Sequence, residues 1–133
     1  MTIVANIPQH SEVSLFGYSG GGVVALQLAS QLKEKLTIKS VVVAGTPIDV
    51  DTWIEANGYS KLNIENYTDA LRQLALASVP VVGIFGDKDT TVSDLYLGVA
   101  VESGLNLKVH IVSDADHGQL VNSKSTLDIL LNL

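Results

Sequence analysis

The residues of this sequence that could do chemistry are a serine framed by glycines, two short acidic turns and one histidine. Gly17-Tyr18-Ser19-Gly20-Gly21 is a G-x-S-x-G pentapeptide between an apolar run, Val13-Ser14-Leu15-Phe16, and a helix-like run over 23–35. At a strand-to-helix turn this pattern makes a nucleophile elbow: a sharp turn holds the serine in a strained conformation, so its hydroxyl projects beyond the strand end. Such a turn needs small residues on both sides because the helix passes close to the strand, and Gly17, Gly20, Gly21 and Gly22 meet that need. The N–H of Gly20, at the helix N-terminus, is expected to donate to a developing oxyanion. A serine hydroxyl is a weak nucleophile at its ordinary pKa, so it requires a base, and the base requires an orienting carboxylate. Two later turns offer both: Gly86-Asp87-Lys88-Asp89-Thr90-Thr91 and Ser113-Asp114-Ala115-Asp116-His117-Gly118.

The elements that must position these residues follow from the apolar pattern. Residues 12–17 read as a first strand, and apolar positions 24, 28, 32 and 36 follow helical spacing after it. The Val-rich run at 40–44 has the composition of a strand buried on both faces, and Gly45-Thr46-Pro47 stops it. Residues 48–66 read as loop plus short helix, 67–76 as helix, and 79–85 as a third strand with Pro80 near its start. A helix at 92–102, a fourth strand at 107–112 and a last helix at 123–133 complete the sequence, while 2–9 read as the end of a helix broken at Pro8. Strands alternating with helices predict an α/β protein with a mostly parallel sheet of about four strands, flanked by helices in three layers. Parallel sheets gather working residues at the carboxyl ends of their strands, which is where Ser19 and both acidic turns fall.

Composition excludes several classes. At 133 residues the protein is expected to be one domain, 1–133, and 47% hydrophobic residues argue for a packed core. A net charge of −6 with no basic cluster argues against nucleic acid. The absence of cysteine rules out disulfides and thiolate metal sites. The first residues, Met-Thr-Ile-Val-Ala-Asn-Ile-Pro, carry neither a basic segment nor a long apolar stretch, and no run reaches the roughly 18 apolar residues of a membrane span. The expected location is cytoplasmic.

From about residue 12 to its end, the sequence resembles the C-terminal half of an α/β-hydrolase, the superfamily of esterases, lipases and thioesterases. The resemblance rests on the elbow and on the order serine, acid, histidine. It implies a truncated α/β-hydrolase fold, with the acid in a G-x-x-D turn, which selects Asp89 in Gly86-Asp87-Lys88-Asp89, and the base in a short polar loop, which selects His117. It thereby implies a triad of Ser19 as nucleophile, His117 as general base and then acid, and Asp89 as orienting carboxylate, with Gly20 at the oxyanion. The implied substrate is a small carboxylic ester or thioester, with no cofactor and no metal. Residues 48–78 occupy the place of a lid and predict a small cap-like segment. There Trp53, Ile54, Tyr59 and Tyr67 read as packing over the sheet, with an acyl pocket as the alternative.

Other readings attach to the same residues. The glycines at 17–22 could form a phosphate-binding turn, but G-x-G-x-x-G spacing is missing and no acidic residue stands at the end of the next strand as a ribose partner should. His10 and His110 read as ordinary polar positions. Asp114, Asp116 and His117 could belong to a metal cluster only together with Asp87 and Asp89. A complete member of the superfamily has strands before the elbow and a second oxyanion donor from an earlier loop, and this sequence supplies neither. The first strand is therefore expected at a sheet edge, open to another copy of the protein or to a missing N-terminal half. The reading that competes with a serine hydrolase is an incomplete, non-catalytic fragment serving as an assembly or binding module.

Overall fold

A computed structural model describes residues 8, 11–59, 67–92 and 104–133. Four strands, β1 (Glu12–Tyr18), β2 (Thr37–Ala44), β3 (Val81–Gly86) and β4 (Leu107–Val112), form one sheet in the order β1-β2-β3-β4. All three pairings are parallel, with Phe16 opposite Val42, Val43 opposite Gly83 and Ile84 opposite His110. Among the described residues β1 pairs only with β2 and stands at an edge.

The Val-rich run makes this sheet two-sided. Val41 and Val43 point into one core with Val81, while Val42 and Ala44 point into a second with Val82 and Ile84. Side chains alternate along a strand, so a run without polar residues must be covered on both faces. The first face is covered by α1 (Gly20–Leu32), which buries Val23, Leu26, Ala29 and Leu32 at helical spacing. It is completed by α2 (Val50–Asn57), which buries Ile54, and α3 (Tyr67–Leu76), which buries Leu71 and Leu74. The second face receives α4 (His117–Leu120) through Leu120 and α5 (Lys124–Leu131) through Ile129 and Leu130. The result is the three-layer α/β arrangement the sequence predicts.

Several boundaries differ from the sequence reading, for identifiable reasons. β2 begins at Thr37 rather than 40, because Ile38 is buried while Thr37 and Lys39 face outward. β3 begins at Val81 because Pro80 has no N–H for the ladder; its carbonyl instead accepts from Val41 N–H at 2.9 Å. α1 begins at Gly20, three residues earlier than the apolar spacing suggests. The four-residue α4 is absent from the sequence reading, although Asp116 and Gln119 form a capping box at its start. The expected helices at 2–9 and 92–102 lie outside the described residues, apart from Pro8 and Val92.

Candidate active site

The site forms at the carboxyl ends of β1, β3 and β4. Ser19 follows the last residue of β1 and has φ 52° and ψ −124°, a conformation that L-residues rarely adopt. Two neighbours hold it there. Its N–H donates to Ala44 C=O at 2.8 Å, continuing the β1–β2 ladder, and its C=O accepts from Thr46 Oγ1 at 2.9 Å. The turn also requires glycine: a Cβ on Gly17 would collide with the backbone of Gly21 and Gly22, and one on Gly22 would collide with Thr46. Ser19 occupies the N-cap position of α1, yet its side chain makes no capping hydrogen bond. The Oγ faces His117 instead.

His117 opens α4 and is 21% exposed at its side chain. Its Nε2 lies 3.1 Å from Ser19 Oγ, and its Nδ1 lies 2.7 Å from Asp89 Oδ2. A carboxylate can only accept, so Nδ1 carries the proton; in the neutral ring Nε2 is then free to accept from the serine hydroxyl. This is the tautomer that a general base requires. Asp89 is inaccessible at its side chain. Its second oxygen, Oδ1, accepts from Thr91 N–H and Val92 N–H, both at 2.8 Å. Three donors therefore satisfy a fully buried carboxylate, which offsets the cost of removing it from water.

Asp87, two residues away, does something else. Its Oδ1 accepts from Asp114 N–H at 2.7 Å, and Lys88 N–H donates to Ala115 C=O at 3.0 Å. The Lys88 and Asp114 side chains are also paired. These contacts fasten the turn after β3 to the turn after β4, fixing Asp89 relative to His117. Gly86 permits the approach, since a Cβ there would strike Ala115.

The remaining residues named from sequence fall as follows. Gly20 is exposed at the first turn of α1, whose leading N–H groups lack intrahelical partners. Tyr67 is buried, donates its hydroxyl to Ile48 C=O at 2.9 Å, and has its pKa pushed far up by burial and, secondarily, by the charge of Asp49. Ile54 is core, and Tyr59 is exposed beside Trp53 with ring centroids 5.2 Å apart. A cleft of about 310 Å³ on α2 is lined by Asp51, Ile54, Glu55 and Tyr59, and its two carboxylates make it a poor acyl pocket. The Trp53 indole N–H donates to Thr91 C=O at 2.8 Å, tying α2 to the turn that carries Asp89. Among the described residues no group of three or more His, Asp or Glu side chains is placed to hold a metal, and no helix is long and apolar enough to cross a membrane.

Solved structures of the same fold are α/β-hydrolases. The thioesterase domain of the curacin biosynthetic pathway superposes with a TM-score of 0.67 at 13% identity, over 99% of this protein and 70% of that one. The esterase domain of a Rhodothermus marinus protein gives 0.61 at 18% identity, over 88% of this protein and 55% of that one. Mouse α/β hydrolase domain-containing protein 10 gives 0.61 at 18% identity, over 98% of this protein and 63% of that one. No family model and no curated protein matches the sequence. The protein has the α/β-hydrolase fold. The chain spans between 55% and 70% of the length of these three structures.

Proposed function

We propose that the protein is a serine hydrolase module that cleaves carboxylic esters or thioesters through an acyl-Ser19 intermediate. The observation that carries this reading is the continuous relay from Ser19 Oγ through His117 to the buried Asp89 carboxylate, with contacts of 3.1 and 2.7 Å. In the first half-reaction Ser19 Oγ attacks the acyl carbon while His117 Nε2 takes the hydroxyl proton. Asp89 stabilises the imidazolium without itself becoming protonated. The negative charge on the carbonyl oxygen is met by Gly20 N–H at the start of α1. His117 then protonates the leaving alkoxide or thiolate, the acyl–oxygen or acyl–sulfur bond breaks, and water activated by the same Nε2 releases the acid.

The named activities of the structural neighbours, thioesterase and esterase, support this substrate class. Turnover of small p-nitrophenyl esters and acyl thioesters, read on the parent protein and on Ser19→Ala, tests it. Turnover confined to the parent is expected; equal turnover by the alanine variant refutes the assignment.

A second reading has its own observation. β1 stands at the edge of the described sheet, and the protein spans only part of its neighbours' length. On this reading it is an assembly module whose first strand pairs with a further strand, from another copy or from a separate N-terminal half. Light scattering and ester turnover read on the same sample separate the two: a defined dimer without turnover favours the assembly module, and an active monomer favours the hydrolase.

A further inference from the structure

Tyr18 is the residue before the nucleophile, and its side chain reaches the base in two ways. The hydroxyl donates to the backbone carbonyl oxygen of His117 at 2.7 Å, across 99 residues of sequence. The phenol ring lies 5.1 Å from the imidazole, centroid to centroid, tilted by 33°. Another wall of the imidazole's surroundings is Gly45, with φ 56°, where an added Cβ would stand 3.0 Å from His117 Cε1 and Nδ1. The ring thus sits close against the end of β2 while also packed on Tyr18.

The backbone contact matters because α4 is too short to hold its own first residue. The helix has four residues, and Val121 N–H turns to Gln119 C=O rather than back to His117. The His117 carbonyl is met from outside, by Tyr18. Asp116 secures the opposite side by capping Gln119 N–H at 2.8 Å.

We propose that Tyr18 is a positioning residue for His117: its ring fixes the imidazole plane, and its hydroxyl anchors the backbone that carries it. Strand β1 then delivers the nucleophile and the clamp on its base from adjacent residues, so Ser19 and His117 cannot drift apart independently. The inference rests on reading Ser19, His117 and Asp89 as a working relay.

The test uses the 133-residue protein with Tyr18→Phe, which keeps the ring and removes the anchor, and Tyr18→Leu, which removes both. Two quantities are read. One is the rate of fluorophosphonate labelling at Ser19. The other is the downfield proton resonance of His117 Nδ1–H, which depends on the Asp89 hydrogen bond and not on turnover. Tyr18→Phe is expected to label about fivefold more slowly, the worth of one ordinary hydrogen bond, with a broadened but present resonance. Tyr18→Leu is expected to label at least about tenfold more slowly still and to lose the resonance, with far-ultraviolet dichroism unchanged. If Tyr18→Leu does not fold, the Tyr18→Phe pair of readings decides. Parent-like labelling and an unchanged resonance in Tyr18→Phe would overturn the positioning role while leaving the hydrolase reading intact. A parent that does not label, but whose resonance responds to both variants in the stated order, would uphold the positioning role and remove the hydrolase reading. A parent lacking the resonance would overturn both.

Discussion

Replacing Asp89 by asparagine removes one charge and almost no volume, and the surrounding geometry decides how the new amide must turn. Asp89 Oδ1 is engaged by Thr91 and Val92 N–H at 2.8 Å each, so in Asp89→Asn the amide oxygen must occupy that position to keep both donors satisfied. The amide NH2 then faces His117 Nδ1, where a carboxylate oxygen stood at 2.7 Å. Two donors cannot bond each other, so the imidazole proton moves to Nε2, and that nitrogen now donates to Ser19 Oγ instead of accepting from it. The base is lost while the fold is kept. Loss of this tautomer lowers turnover by about 10³ to 10⁴, or roughly 4 to 5.5 kcal/mol of barrier. Stability falls by only about 1 kcal/mol, since charge-assisted bonds become neutral ones. Asp87→Asn is the matched control: its bond from Asp114 N–H survives in the amide, and turnover should stay within about threefold of the parent. Both variants are assayed with a small p-nitrophenyl ester, with melting temperature read on the same samples. Turnover by Asp89→Asn within about tenfold of the parent, or a larger loss in Asp87→Asn, would refute the reasoning.

Three further outcomes rest on the same structure. Ser19→Gly relieves the strain at φ 52°, so it should abolish labelling yet raise stability by about 1 kcal/mol, a gain of roughly 3 to 5 °C in melting temperature; a lower melting point would contradict the strained turn. Gly45→Ala puts a Cβ 3.0 Å from the His117 ring at a positive φ, so it should slow fluorophosphonate labelling by about tenfold or more and destabilise by about 1 to 2 kcal/mol; parent-like labelling would argue against the packing around His117. Tyr67 has its pKa raised above the ordinary 10.0 by burial first and Asp49 second, so the folded state holds its proton more tightly than the unfolded state does. Its contribution is therefore complete below about pH 10 and declines as pH rises above that value. Melting curves between about pH 8 and 11 should show this loss in the parent and a weaker one in Tyr67→Phe; equal slopes would exclude Tyr67 as the cause.

Much of this arrangement is legible in the sequence because it is written in short-range patterns. The Val-rich run announces a strand covered on both faces, and Val41 to Ala44 are completely buried. The pentapeptide around Ser19 fixes a turn in which Gly17 and Gly22 leave no room for a side chain. The start of α1 is less legible, because three glycines have poor helix propensity and the close passage over β1 overrides it. Spacing alone does not separate Asp87 from Asp89; the resemblance selects Asp89, and the structure distinguishes their partners as Asp114 N–H and His117 Nδ1. Tyr18 is invisible as a partner of His117 in sequence, since the contact spans 99 residues and no local pattern encodes it. The same holds for Trp53, whose bond to Thr91 C=O links α2 to the turn of Asp89.

The most direct test of the central claim is fluorophosphonate labelling of the purified protein, with the modified residue located by mass spectrometry and Ser19→Ala run alongside. One adduct is expected, on Ser19, and it is absent from the alanine variant. No adduct on the parent, or an adduct that persists in Ser19→Ala, would contradict the claim.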